Sequence, residues 1–180
     1  KEPKTMLKRI FSAAMAAILL LAVTACGAPK EPAAPALKEG VTLKQVIDQV
    51  YENYPVAMAA EMDESVVTDL LGLSTDDVED YAGYITMVMV SSDNLIGIKA
   101  KEGKVETVQK ALEARKEMVV QSFEQYLPTE LDKAKAGKVV TLGDYVFLII
   151  VSNADMDEED VTAGITKAEE LIRGNFDNLA

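Results

Sequence analysis

The sequence contains no histidine, no tryptophan and a single cysteine, Cys26. Each absence removes a class of chemistry. Without histidine there is no Ser-His-Asp or Cys-His nucleophile system, and none of the common zinc sites built on histidine or paired cysteines. One cysteine admits no intrachain disulfide, so the redox state of the compartment has no bearing on stability. Aromatic residues make up only 6% of the chain, which leaves few platforms for stacking a sugar. Basic charge is scarce too: 18 lysines and arginines face 30 aspartates and glutamates, a formal net charge of −12. That balance disfavours nucleic acid, whose phosphates it would repel, and disfavours lying flat on anionic lipid. There is no Gly-x-Ser-x-Gly, no phosphate-binding loop and no dinucleotide fingerprint, so no cofactor is implied.

What the chain does have is one apolar run near its start. The uncharged stretch from Ile10 to Ala25 is 16 residues long and follows Lys8 and Arg9. A membrane span needs about 20 residues, so the run suits a secretory signal, with Met6 as the expected start. It ends in Val23-Thr24-Ala25-Cys26, which resembles the bacterial lipobox: an aliphatic residue and two small ones before a cysteine. In that system the thiol is diacylglycerated, the upstream peptide is removed and the cysteine becomes the N-terminus. One acyl chain holds a protein to a bilayer only marginally, whereas two chains of the palmitate type hold it stably. The expectation is a lipoprotein tethered through Cys26 to the extracytoplasmic face of the cell membrane.

Three segments follow. Residues 1–25 read as a signal peptide. Residues 26–40 read as the lipidated cysteine and a linker, with Pro29, Pro32 and Pro35 among alanines. Such a linker is biased to polyproline II and could lift the domain up to about 40 Å from the bilayer. Residues 41–180 read as a single globular α+β domain. Removing 1–25, with four basic residues and one acidic, leaves 155 residues with 14 basic and 29 acidic side chains, a net charge of −15. That charge keeps an exported domain soluble.

Within the domain, Thr42-x-x-Gln45 reads as a capping box, and Leu43, Val46, Ile47 and Val50 follow at helical spacing until Pro55. A short helix is expected over 63–71, with Gly72 past its end. The period then changes. YITMVMV (84–90) and LIGIKAK (95–101) read as a hairpin turned at Ser91-Ser92-Asp93-Asn94, and KVVTL (138–142) and YVFLIIV (145–151) as a second one turned at Gly143-Asp144. Glycine first in a two-residue turn is the type II′ pattern. A long helix over 103–127 joins the hairpins, and another is expected near 161–174. The two fully apolar strands, 84–90 and 145–151, are expected at the centre, where a sheet is covered on both faces. The lysine-bearing strands are expected at the edges. The result is a four-stranded sheet built from two β-hairpins joined by a long helix, with further helices at the N- and C-termini, and with a central pair that a crossover could make parallel.

The runs STDDVEDYAGYITMVMVSSDNLIGIKAKEGKVETVQKALEARKE, SFEQYLP and GDYVFLIIVSN resemble a bacterial lipoprotein family known only as domain of unknown function 4358. The similarity rests on D-V-E-x-Y, K-A-K-x-G-K, Y-L-P and G-D-Y-V and spans roughly residues 45–155. It implies an anchored protein on the outer face of the single membrane of a Gram-positive anaerobe, and it implies no activity. Its recurring positions, Asp77, Val78, Tyr81, Lys99, Tyr126, Pro128, Gly143 and Tyr145, each fit a structural role as cap, core, turn or helix stop.

Few constellations point to chemistry. Ser92-Asp93-Asn94 matches one element of the penicillin-binding set without its Ser-x-x-Lys and Lys-Thr-Gly companions, and reads as a turn. Met87 and Met89 read as core filling in an apolar strand. Asp155, Asp157, Glu158 and Asp160 form an acidic loop suggestive of a hard cation, but the sixth and twelfth positions of a calcium loop starting at Asp155 would be Asp160 and Thr166. The segment reads more simply as acid placed before a helix N-terminus, and no metal site is assigned. The expected function is a non-catalytic binding or interaction module for an envelope protein or small ligand. The alternative is a small carboxylate-dependent hydrolase of the cell envelope.

Overall fold

The computed structural model describes residues 33–152 and 161–179. Cys26 and the acidic residues Asp155, Asp157, Glu158 and Asp160 lie outside them. The described elements belong to one compact unit, Ala34–Ala180. In order they are β1 (Ala36–Leu37), α1 (Leu43–Asn53), β2 (Ala59–Glu61), a π-helical turn (Val66–Leu70), β3 (Val78–Thr86), β4 (Asn94–Ala100), α2 (Val105–Phe123), α3 (Pro128–Ala136), β5 (Lys138–Leu142), β6 (Tyr145–Ile150), α4 (Val161–Arg173) and β7 (Phe176–Asp177).

Local chemistry starts and stops these elements where the sequence places the signals. The Gln45 amide donates to Thr42 Oγ1 at 3.2 Å while the Thr42 amide donates to Gln45 Oε1 at 2.9 Å, a complete capping box for α1. Gly72 takes φ +65° after the π-helical turn. Gly143 takes φ +58° between β5 and β6, the left-handed geometry that a type II′ turn demands of its first residue.

The sheet differs from the expected one in three respects. It has five strands in the order β2-β3-β4-β6-β5 and is antiparallel throughout, and a separate two-stranded ribbon pairs β1 with β7. The four-stranded expectation therefore fails. The missed strands are two or three residues long, too short to carry a period. Secondly, the neighbour of β6 at the centre is β4, whose Leu95, Ile96 and Ile98 are fully buried. Lysine was a misleading edge signal for β4, although β5 does lie at an edge. Lys99 sits at the far end of β4, pairs with Glu79 Oε1 at 2.6 Å and extends its ammonium to 5.8 Å from the Tyr145 ring centre, so its stem packs while its charge stays wet. Thirdly, β3 covers 78–86, not 84–90. Met87 and Met89 are 68% and 90% exposed in the loop after it, so they fill no core.

Antiparallel order also explains the crossover. Because β4 and β5 each run opposite to β6, the chain leaving β4 over α2 and α3 lays down β5 parallel to β4 but one position away. The turn at Gly143 then folds β6 back into the slot between them. The helix α3 was unforeseen. Pro128, expected to stop a helix, instead begins one at its first turn, where its missing N–H costs nothing.

Alternation on β4 and β6 divides the core into two layers. Leu95, Phe147 and Ile149 join Leu43, Val46, Ile47 and Val50 of α1 and Ile165, Ala168 and Ile172 of α4. Ile96, Ile98, Val146, Leu148 and Ile150 join Val108, Leu112, Val119 and Phe123 of α2 and Ala134 of α3. The first layer comes close enough to exclude one side chain. A Cβ on Gly97 would lie 3.0 Å from both Leu43 Cδ1 and Phe147 Cε1. Phe176 of β7 closes that layer with edge-on contacts to Tyr145 and Phe147, ring centres 5.3 and 6.0 Å apart.

Two measurements check this description. A Cβ on Gly143 would collide with the carbonyl oxygen of Pro35, and positive φ alone costs a branched residue about 1–2 kcal/mol. Gly143→Val is therefore expected to lower the urea midpoint by at least that equivalent, with Asp144→Asn near neutral. Glu169 joins α4 to β5 through Lys138 Nζ at 2.8 Å and also binds Arg173 Nε at 2.7 Å. Partial burial pushes its carboxyl up, but the hydrogen bonds from Lys138 and Arg173 outweigh this and hold it below the usual range. Its contribution is thus complete above the ordinary glutamate pKa of about 4.3 and is lost as pH falls through the lower folded value. The melting-temperature gap between the native chain and Glu169→Gln should be widest near neutrality and close in acid.

Candidate functional site

The connection between β3 and β4 turns inward at its end. Ser91, Ser92, Asp93 and Asn94 are all buried, Asp93 to 1% exposure. Polar groups at that depth must find partners, and the local fold supplies the first of them. The Asp93 amide donates to Ser91 Oγ at 3.2 Å, and Asn94 Nδ2 donates to the Ser92 carbonyl at 3.0 Å. The reading of Ser92-Asp93-Asn94 as the hairpin turn fails: the chain turns at Met89-Val90, Ser92 and Asp93 lead into the sheet, and Asn94 is the first residue of β4.

The remaining partners come from α3. Glu130 and Lys133 stand three residues apart, so both side chains point the same way from one helix face. Lys133, only 5% exposed, sits 2.7 Å from Asp93 Oδ1 and 2.8 Å from Glu130 Oε2, and donates to Ser152 Oγ at 3.0 Å. Glu130 Oε2 also accepts from the Ser92 amide at 2.7 Å and the Ser92 hydroxyl at 2.9 Å. Asp93 Oδ2 accepts from the Ala57 amide at 3.0 Å, and its Oδ1 from Ser152 at 3.3 Å. Among the described residues no buried side-chain nitrogen or oxygen lacks a partner. Two carboxylates share one ammonium, and the hydroxyls and amides carry the rest of the charge. Ser92 is shut away from solvent, so its hydroxyl is no nucleophile that a substrate could reach. The network locks the loop and the start of α3 to the ends of β4 and β6.

Asn94 passes this order on to an open cavity. Its Oδ1 accepts from Arg115 Nε at 3.0 Å. Arg115 lies on α2 at the wall of a cavity of about 280 Å³, lined by Thr86, Val88, Met89 and Ser91 on the loop side and by Val119, Ser122, Phe123 and Tyr126 on the helix side, with Asn94 and Arg115 between. Among the described residues its guanidinium makes one further hydrogen bond, Nη1 to Met118 Sδ at 3.8 Å, a weak one. Among the described residues no carboxylate pairs with it, and burial alone draws its pKa down. The described lining residues include no carboxylate. The long helix expected over 103–127 would have carried Tyr126 in its last turn. Tyr126 is 54% exposed at the cavity rim, because α2 ends at Phe123 and the chain turns there.

A shallower depression of about 180 Å³ holds Glu64 and Glu79. Both are exposed, and Glu79 is already paired with Lys99. An acid and base pair is made by burial that separates the two groups' affinities for a proton, and neither glutamate is buried. Among the described residues no group of three or more potential metal ligands occurs, and no described helix is long and apolar enough to cross a membrane.

Sequence reasoning missed Arg115, Glu130, Lys133 and Ser152. The one available signal was Pro128-Thr-Glu, since proline at a first turn followed by an acid marks a helix start. That start would have placed Glu130 and Lys133 on one face. Nothing in the chain marks Arg115 among its other cations.

Residues 52–152 match the model of a family described as Domain of unknown function (DUF4358). The matched segment spans the whole buried network and every residue lining the larger cavity. No curated protein and no solved structure gives a significant match.

Removing one partner from a buried ion pair costs about 3–5 kcal/mol, because the charge left behind stays desolvated. Lys133→Met should destabilise the domain by that order in urea unfolding. Adding Asp93→Asn should recover part of the loss. A double variant no more stable than Lys133→Met alone would show that the pair is not coupled.

Proposed function

The chain belongs to the DUF4358 family, a domain of unknown function, and from that premise we propose that it is a lipid-anchored, extracytoplasmic binding module without catalytic activity. The cavity beside Arg115 carries the binding half of this reading. Among the described residues it offers a cation, hydroxyl groups and an apolar wall, but no carboxylate to act as a base on those hydroxyls. A glycoside hydrolase of the carboxylate type needs two acids flanking a bound substrate, and the glutamates of the second depression are exposed, one of them spent on Lys99. A binding module needs only complementarity, and the rim is suited to it. Methionine side chains adapt their shape to what they meet, and Met87 and Met89 stand exposed in the loop that borders the cavity.

The anchoring half rests on the sequence. A basic start, a 16-residue uncharged run and Val23-Thr24-Ala25-Cys26 form the pattern of a lipidated signal. The envelope would then be the source of the ligand, whether an envelope protein or a small molecule, and the tether would hold the cavity within a short reach of the bilayer.

The anchor is open to a direct test. In a bacterial host with the lipidation enzymes, the native chain should partition with membranes and carry a diacylglyceryl group on Cys26 detectable by mass spectrometry. Cys26→Ala should appear in the soluble fraction or as an unprocessed precursor. A mature Cys26→Ala protein that still fractionates with membranes would rule out lipidation as the anchor.

A further inference from the structure

We infer that the cavity between the β3–β4 loop and the C-terminal half of α2 binds a single carboxylate group carried on an apolar body, with Arg115 as the anion-recognising residue. The inference deepens the binding reading above and rests on it.

Acids outnumber bases by 30 to 18 in this chain, and Lys44, Lys99, Lys104, Lys110, Lys133, Lys138 and Arg173 all hold carboxylates within 4 Å. Arg115 is half-buried and holds none among the described residues. Asn94 takes its Nε, and Asn94 is held in turn by its hydrogen bond to the Ser92 carbonyl, with Ser92 bound to Glu130 of the buried network, so the guanidinium is oriented before any ligand arrives. Among the described residues the terminal nitrogens have only the Met118 sulfur as a hydrogen-bond partner. A planar guanidinium offers donors matched to the two oxygens of a carboxylate.

The neighbours add donors rather than competitors. Ser91 Oγ accepts from the Asp93 amide, which leaves its hydroxyl proton to give. Tyr126 supplies a phenol at the rim. The rest of the wall is Val88, Met89, Val119 and Phe123, so what carries the anion must be apolar. At about 280 Å³ the space lies at the small end of ligand sites, which run from about 300 to 1,000 Å³, and fits one branched or aromatic residue-sized group. A polyanion is disfavoured by the net charge of −12 around a single cation.

The test uses the full chain in lipid nanodiscs with methyl-labelled methionine. Met89 and Met118 flank the guanidinium, while Met62 is buried in the core away from the cavity lining and serves as the internal control. The probes are N-acetyl-leucine, its uncharged amide and acetate. N-acetyl-leucine should shift the Met89 and Met118 signals and leave Met62 in place, with the amide and acetate weaker by about tenfold or more. Arg115→Gln should remove that preference for acid over amide. Met89→Glu provides a second variant that spares the fold, since the residue is 90% exposed, and it should weaken the acid more than the amide. A short peptide ending in free leucine distinguishes the source. Tighter binding than N-acetyl-leucine identifies a peptide C-terminus, equal binding a free small acid, and both results support the carboxylate class. Equal affinity for acid and amide, unmoved Met89 and Met118 signals, or an Arg115→Gln variant that keeps the preference would overturn the inference. None of those results touches the membrane attachment of Cys26, which fails or holds by its own fractionation.

Discussion

The pairing of β4 with β6 is the constraint from which the remainder of the molecule is built. Six residues of each strand stand opposite one another, from Asn94 with Ile150 to Lys99 with Tyr145. Side chains alternate above and below this pair, so one register assigns every apolar residue of both strands to one helical layer or the other. A slip of one residue would send Phe147 and Ile149 to the α2 layer and Leu148 to the α1 layer, exchanging a ring for aliphatic groups in two cores at once. Gly97 makes the register more demanding still, because only there can Leu43 and Ile47 of α1 approach the strand. The helices do not choose their places. They cover what the register leaves exposed.

That pairing also creates the problem that the polar network resolves. Where β4 begins, the chain must pass from a loop into a strand that is covered on both faces, and four polar residues are carried inside with it. Asp93 could not remain there alone, since an unpaired buried charge is far more costly than an unpaired hydroxyl. Lys133 meets it, Glu130 is the second carboxylate on the same ammonium, and Ser92 and Ser152 fill the remaining bonds. Buried ion pairs are poor sources of stability compared with apolar packing. Their directionality fixes the loop in one conformation, and through Asn94 it fixes Arg115. The cavity therefore has a rigid floor and a pliable methionine rim.

The legibility of the sequence follows the length scale of the forces involved. Signals that act within a few residues were readable: the Thr42–Gln45 box, the left-handed glycines at 72 and 143, and the second hairpin with its turn, whereas the first hairpin turns at Met89-Val90 rather than at Ser91–Asn94. Signals that depend on distant partners were not. Lys99 looked like an edge guard because the sequence cannot reveal that Glu79 and Tyr145 flank it. Met87 and Met89 extended an apolar run and were taken into the strand, although the chain had already left the sheet at Thr86. Strands of two or three residues carry no period, so β1, β2 and β7 could not be seen. The site was hidden for the same reason. Its parts come from residues 86–94, 115–126, 130–133 and 152, and only the sheet brings them together.

Arg115 is where the internal consistency of the fold breaks. Seven other cations among the described residues, the buried Lys133 included, hold a carboxylate within 4 Å. A half-buried guanidinium with open donors lowers the stability of the free protein, since burial disfavours its charge and no carboxylate compensates. An excess of acids was available to compensate it, and Glu117 lies only two residues further along α2. Residues two apart on a helix do not face each other, so the position of the arginine keeps it apart from the neighbouring acid. Such departures concentrate where a protein binds something, because a ligand that supplies the missing charge recovers the cost only on arrival. The long-range field of an acidic domain would hinder any anion, but it is screened within about 8 Å at physiological salt. What remains at the cavity is local, and local chemistry here favours one negative charge with an apolar group behind it.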